Sequence, residues 1–305
     1  MKNILVVGSM NMDLVMQTDQ FPKPGETRAG FGFSTVPGGK GANQAAAAAK
    51  LGCPTYMLGG VGNDAYGEIL KEHLSACGVK TDRIWKEDGS SGVAVITVCG
   101  GENEILLDAG ANGRVTPERI SACSDLFAWA DRVVLQFEIP MDAVIRGAEM
   151  AKAAGAEVVL NPAPFREIPV SLLKNTDWLV LNETEAAEMG KLPVTQLEEA
   201  AACMEKIEEQ FSGRVFLTLG KEGCLYREDG MLRRMHAFPV RAVDTTAAGD
   251  CFIGGLCAAM DGERPLSAAV QYAAAASAVT VSRMGAGSSL PSREEVDEFL
   301  KKNKG

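Results

Sequence analysis

Six short apolar runs rich in β-forming residues recur along the chain between stretches with helical patterning, and that alternation limits the possible fold more than any other feature. The runs are Ile4–Val7, Thr55–Leu58, Val133–Leu135, Val158–Leu160, Trp178–Leu181 and Val215–Leu219. The helix-compatible stretches are Gly41–Leu51, Tyr66–Ala76, Met141–Ala154, Leu197–Phe211, Gly249–Met260 and Leu266–Val281. Continuous apolar runs suit strands buried on both faces, and strands alternating with helices build a parallel sheet covered by helices. The expected class is therefore α/β. The alanine runs at 45–49 and 273–276 read as close helix packing, because alanine favours the helix and lets backbones approach.

Two regions break the rhythm, at residues 12–36 and 92–108. Alternation such as Gly92-Val93-Ala94-Val95-Ile96-Thr97-Val98 predicts antiparallel strands there, forming a small appended sheet. With no low-complexity linker and no repeat of about 20–50 residues, the simplest organisation is one domain over residues 1–305 that carries a lid.

Composition removes several function classes. Hydrophobic residues make up 46% of the chain, yet no apolar run approaches the roughly 18–20 residues of a membrane helix. The N-terminal Met1-Lys2-Asn3 passes directly into the short run Ile4–Val7, which lacks the features of a signal peptide, so the expected compartment is the cytoplasm. Cysteines 53, 77, 99, 123, 203, 224, 251 and 257 stand singly, with only His73 and His236 to join them, which argues against a zinc or iron–sulfur site. A formal charge of −10 argues against a nucleic-acid-binding face and leaves room for an anion held by backbone N–H groups and one or two lysines.

Three glycine-bearing segments carry candidate chemistry. Gly38-Gly39-Lys40-Gly41-Ala42-Asn43-Gln44 opens a helix, where exposed N–H groups favour polar or anionic ligands; the plainer reading is a glycine turn. It is not a Walker A loop, because Gly41 follows Gly39-Lys40 where that motif needs Ser or Thr, and Ser34 stands where it needs a glycine five positions before the Gly. Gly60-Val61-Gly62-Asn63-Asp64-Ala65 loosely matches a dinucleotide fingerprint, but it follows an inner run rather than the first, and a tight turn is the simpler reading. Asp244-Thr245-Thr246-Ala247-Ala248-Gly249-Asp250 is the most informative. Small side chains leave the N–H groups of Ala247, Ala248 and Gly249 open at a helix start, suited to the charge of a transferring phosphoryl group, and Asp250 beside them is placed to accept the proton of an attacking hydroxyl. The alternative is that Asp244 or Asp250 only caps a helix.

GGKGANQA at 38–45 together with DTTAAGD at 244–250 resembles the two signatures of the ribokinase family of carbohydrate kinases. The resemblance runs almost end to end, through Gly8–Asp13, Pro24–Thr27, Gly60–Asp64, Ala109–Asn112, Gln136–Pro140, Asn161–Pro164, Asn182–Glu185 and Thr218–Gly220. It implies a central, mostly parallel sheet flanked by helices, with the segments near 12–36 and 92–108 as a small antiparallel β lid that pairs in a homodimer. It also implies ATP-dependent phosphorylation of the primary 5-hydroxyl of D-ribose, giving ribose 5-phosphate and ADP. Kinases for deoxyribose, another sugar or a nucleoside are alternatives; a phosphofructokinase would need more cations in the lid than Lys23, Arg28 and Lys40 supply. A non-catalytic sugar sensor is disfavoured because Asp250, Gly249 and Ala248 are all present.

By the same resemblance Asn11, Asp13, Gly39, Lys40, Gly41, Ala42, Asn43 and Glu138 contact the sugar, with Asp250 as general base and Ala247, Ala248 and Gly249 as anion hole. ATP falls to Asn182, Thr218, Leu219, Gly220, Lys221, Glu222, Gly223, Gly249, Asp250 and Ala274. Mg²⁺ arrives with ATP and keeps several waters, with Glu185 influencing the ion or its waters. K⁺ is expected as activator at Asp244, Thr246, Thr280, Arg283, Gly285 and Ser289, mostly through backbone oxygens.

Overall fold

A computed structural model describes residues 1–260, 262 and 264–303. Its strands are β1 (Ile4–Val7), β2 (Asn11–Gln17), β3 (Phe31–Gly38), β4 (Thr55–Leu58), β5 (Gly60–Gly62), β6 (Trp85–Glu87), β7 (Gly92–Cys99), β8 (Glu102–Asp108), β9 (Arg132–Leu135), β10 (Glu157–Leu160), β11 (Trp178–Leu181), β12 (Arg214–Thr218), β13 (Cys224–Glu228) and β14 (Met231–Met235). Its helices are α1 (Lys40–Lys50), α2 (Ala65–Ala76), α3 (Pro117–Ser121), α4 (Ser124–Trp129), α5 (Met141–Ala153), α6 (Val170–Lys174), α7 (Glu183–Gly190), α8 (Leu197–Glu208), α9 (Ala248–Ala259), α10 (Leu266–Val281) and α11 (Arg293–Lys302).

The main sheet has eight strands in the order β14-β13-β12-β11-β10-β9-β1-β4. From β4 to β12 every pairing is parallel, and β13 and β14 close the far edge antiparallel. Both faces are apolar because helices cover both. Ile4, Val6, Val134 and Val159 point to one side, into a core with α1, α2, α9, α10 and α11. Their neighbours Leu5, Val7, Val133 and Val158 point to the other, against α3 to α8. Successive side chains of a strand alternate between faces, so a double-sided core removes polar residues from the strands and produces the unbroken apolar runs seen in the sequence.

The second sheet, β3-β2-β7-β8, is built from residues 11–38 and 92–108, where the broken rhythm predicted it. It comprises two antiparallel pairs, β2 with β3 and β7 with β8, joined by a parallel pairing of β2 with β7. β3 leads straight into α1, so this sheet is tied to the glycine turn.

Two expectations change. Gly60–Gly62 is a short strand paired with β6 rather than a tight turn, and Asp64 after it caps α2 by accepting from the Gly67 amide at 2.8 Å. Its glycines serve close approach: a Cβ on Gly62 would lie 2.3 Å from the Ser91 nitrogen. Helix α8 stops at Glu208 instead of reaching Phe211, because the chain turns to bury Phe211 and passes Asp177, whose carbonyl would lie 2.4 Å from a Cβ on Gly213. Among the described residues no helix is long and apolar enough to cross a membrane.

Candidate active site

Polar residues, some singled out by the sequence and some not, gather at the C-terminal ends of the parallel strands, where open α/β sheets present their ligand crevices. After β1 come Ser9 and Asn11, after β9 Gln136 and Glu138, after β10 Asn161, after β11 Asn182 and at the end of β12 Thr218. The helices α1 and α9 start at the same edge and bring in Lys40–Gln44 and Ala247–Asp250.

On the side facing the small sheet, Glu138 is the junction. Its Oε2 accepts from Ser9 Oγ (2.5 Å), the Lys40 amide (3.1 Å) and Asn11 Nδ2 (3.4 Å). Asn112 fixes the Asn11 amide by donating to its Oδ1 at 2.7 Å, and grips the Met10 backbone through both its nitrogen and its oxygen. Asp13, on β2, is raised to about 7, by burial first and then by the nearby charges of Glu138 and Asp250. Gly38 makes room for it, since a Cβ there would lie 2.3 Å from Asp13 Oδ2. Burial opposes the charge on Lys40, but the carboxylates of Asp250, Glu138 and Glu185 outweigh it and hold the ammonium above its usual range.

Asp250 is 8% exposed, in the first turn of α9. Its Oδ2 accepts from Asn43 Nδ2 (3.1 Å) and its Oδ1 from Gln44 Nε2 (2.9 Å). Ala247 precedes the helix at φ 60°, a left-handed conformation that a Cβ makes costly by roughly 1–2 kcal/mol. That twist turns the start of α9 toward a cavity of about 220 Å³ lined by Lys40, Asn161, Asn182, Glu185, Thr218, Thr245 and Ala247–Asp250, among others. The expectation of three open N–H groups needs one correction, because the Ala248 amide donates to the Thr245 carbonyl at 3.2 Å. Lys40 is the one cation among the residues lining this cavity.

Of the expected nucleotide residues, Asn182, Thr218, Gly249 and Asp250 line the cavity. Asn182 and Glu185 form a capping box on α7, Asn182 Oδ1 accepting from the Glu185 amide (2.8 Å) and Glu185 Oε2 from the Asn182 amide (3.0 Å). Burial raises the Glu185 carboxyl above its usual range, against the pull of the Asn182 amide and Lys40. Gly220, Lys221, Glu222, Gly223 and Ala274 lie outside the cavity lining, and Leu219 is buried. Glu222 pairs with Arg234 on the exposed edge strand.

The two segments expected to hold a monovalent cation do come together. The Val243 amide donates to the Val281 carbonyl (2.7 Å), and Asp244 accepts from the Thr246 and Gly285 amides, each at 2.9 Å. Burial works against the charge of Asp244 and those donors outweigh it, holding the carboxyl below its usual range. The Thr280 hydroxyl donates to Ala276 (3.0 Å) and that of Ser289 to Ala286 (2.7 Å). Arg283 directs its guanidinium at Glu295, 2.6 Å away, leaving only its backbone for the segment. Asp244 is therefore the one carboxylate of the set.

Five residues were missed as site residues: Ser9, Gln44, Asn112, Gln136 and Asn161. Each lies inside a motif quoted above, and all five are buried. The available signal was that a polar side chain sits where a buried strand or a small-residue helix ends.

An α/β sheet whose crevice joins a carboxylate at a helix start to a flap of strands suits a phosphotransferase for a small polyhydroxylated acceptor. The chain belongs to the pfkB family of carbohydrate kinases, whose family profile matches residues 1–293. It is 43% identical over 319 residues to the ribokinase of Schizosaccharomyces pombe, covering 99% of this chain and 100% of that one. It is 36% identical over 304 residues to a deoxyribokinase of Salmonella typhi, covering 99% of each. Among solved structures, Arabidopsis thaliana ribokinase complexed with ribose and ATP superposes with a TM-score of 0.91 at 34% identity, covering 98% of this chain and 99% of that one.

Proposed function

We propose that this carbohydrate kinase transfers the γ-phosphoryl group of ATP to the primary hydroxyl of D-ribose. The observation that carries this is Asp250, a buried carboxylate held by two amides between the sheet-covered pocket and the start of α9. The sugar binds among Asn11, Asp13, Lys40, Asn43 and Glu138, beneath β2, β3, β7 and β8 acting as a lid within one catalytic unit. Its hydroxyl approaches Asp250, which takes the proton as the oxygen attacks, while the amides at the start of α9 and Lys40 stabilise the transferring phosphoryl group. Small acids and amides around the sugar discriminate against analogues that leave them unpaired.

Among the described residues no group of three or more His, Cys, Asp or Glu side chains is arranged to hold a metal. Mg²⁺ would arrive with ATP and keep several waters, and Glu185 is the carboxylate that would influence the ion or its waters from the nucleotide side. For K⁺ the joined segments Val243–Thr246 and Val281–Ser289 offer Asp244 and backbone oxygens, which would hold the ion and supply a positive charge near the phosphate cradle. Eight free cysteines support a reducing cytoplasmic setting. Every residue of β8 is exposed, as are Phe31, Phe33 and Leu106, which favours a homodimer through the lid; a single-copy mass by sedimentation would remove that reading.

The deoxyribokinase relative supports deoxyribose as a second reading. An ATP-consumption assay over ribose, deoxyribose, fructose and nucleosides, with K⁺ or with a bulky organic cation, decides both points. Ribose is expected to give the highest kcat/KM and K⁺ to raise the rate; a higher value for deoxyribose, or equal rates without K⁺, overturns the respective reading.

Asp13 adds a pH dependence. Its ionised form accepts from sugar hydroxyls more strongly than its acid form does, and with a midpoint of about 7 the ionised fraction grows through neutrality. The sugar KM is therefore expected to fall about tenfold between pH 6 and 8, following the charged fraction. Asp13→Asn should flatten that slope, and a pH-independent KM in the parent enzyme would refute the assignment.

A further inference from the structure

Beneath Asp250 runs a chain of buried amides that the reaction scheme does not use. Gln136 Nε2 donates to Gln44 Oε1 at 2.7 Å, and Gln44 Nε2 donates to Asp250 Oδ1 at 2.9 Å and to Asn161 Oδ1 at 3.2 Å. Asn161 Nδ2 in turn donates to the Val180 carbonyl (3.1 Å) and to Glu185 (3.4 Å). Gln44 is 1% exposed and Gln136 is fully buried.

The direction of this chain follows from its chemistry. An ionised carboxylate only accepts, so the nitrogen of Gln44 must face Asp250 and its oxygen must face away. That oxygen needs a donor, so Gln136 turns its own nitrogen toward it. The remaining oxygen, Gln136 Oε1, then has no partner, and among the described residues it is the one buried side-chain polar atom left so. It rests against Gly8, where a Cβ would lie 1.9 Å away. A buried acceptor left unpaired is costly. Reversing both amides would pair it no better and would set two acceptors against each other at Asp250. The orphan is the mark of a network oriented by that carboxylate.

We infer that Gln44 is the positioning residue of the catalytic base: it holds the Asp250 carboxylate from beneath in the orientation that faces the sugar hydroxyl, and Gln136 locks Gln44. The inference rests on the reading of Asp250 as base. Loss of the Gln44 donor leaves one oxygen of that carboxylate unheld and free to turn away from the sugar hydroxyl. The other ionisable groups around Asp250 are Lys40 from α1, Asp13 from β2, Glu185 from α7 and the neighbouring Cys251, with Glu138 beside Asp13 and Lys40. They remain in every variant below and form a common background.

The test uses the near-isosteric Gln44→Met and Gln44→Glu with Gln136→Met, measured for kcat, both KM values and melting temperature. Both Gln44 variants should lose about ten- to a hundredfold in kcat, the range for partners that orient a reacting group, with both KM values within about threefold. The loss should be larger in Gln44→Glu, which sets an acceptor against Asp250. Gln136→Met should lose several-fold in kcat, and it decides the matter if the Gln44 variants do not accumulate. Folded variants with parental kcat overturn the inference, as does a loss that only tracks the folded fraction or that falls on the KM values instead of kcat. An inert Asp250→Asn beside normal Gln44 variants defeats this inference alone, whereas an active Asp250→Asn defeats the base assignment as well.

Discussion

Replacing Asp250 with alanine should reduce kcat by about a thousandfold or more, at the upper part of the range for loss of a general base, while ATP and sugar still bind. The magnitude follows from what surrounds the group. Asp250 is the carboxylate at the start of α9, and its two oxygens are held by Asn43 and Gln44 from a helix more than two hundred residues away in sequence. Alanine also leaves those two buried donors without an acceptor, at a cost of about 1–3 kcal/mol each. Asp250→Asn keeps the volume and separates the chemical loss from the structural one. A coupled assay for ADP gives kcat, and calorimetric titration gives both affinities. Turnover within tenfold of the parent would exclude Asp250 as the base.

The second large effect concerns stability and lies at the other end of the same helix. Arg132, at the start of β9 and 3% exposed, donates to the Cys257 carbonyl at 3.0 Å and to that of Met260, both in the last turn and cap of α9. Its Nε bonds to Glu157 Oε2 at 2.8 Å, and its guanidinium lies 4.5 Å above the Trp178 ring. A cation is favoured where a helix leaves carbonyls unpaired. The Glu157 side chain is 40% exposed, so water screens that ion pair and the carbonyls and the ring carry most of the effect. Arg132→Met should cost about 2–4 kcal/mol, a fall of roughly 3–6 °C in Tm for a chain of this length, with kcat at 25 °C near the parental value. A Tm within 2 °C of the parent would refute this account.

Much of the scaffold is legible locally. β1, β4, β11 and α10 have the bounds that the sequence patterns predict, because elements packed on both sides are almost wholly apolar and the apolar run ends where the element does. The broken rhythm at 12–36 and 92–108 likewise marks the small sheet. The parallel joining of β2 to β7 is not legible, since a period of two gives the face of each residue and nothing about the partner strand. In the site, Asp250 and the glycine turn announce themselves through small residues around a charge. Gln44, Gln136 and Asn161 do not, because their meaning lies in contacts with residues 92 to 206 positions away. Ala247 is also silent, since an alanine rarely marks a left-handed turn.

That alanine bears on any effort to make the enzyme heat-resistant. Glycine at 247 would relieve the unfavourable φ of the native chain, but it would also add conformers to the unfolded chain, worth about 0.4–1 kcal/mol in the opposite direction. The two partly offset each other in a melting curve. What nothing offsets is the freedom a glycine gives the folded loop at the mouth of the phosphate cavity, so the methyl group of Ala247 acts as a stiffener whose value shows in turnover more than in Tm.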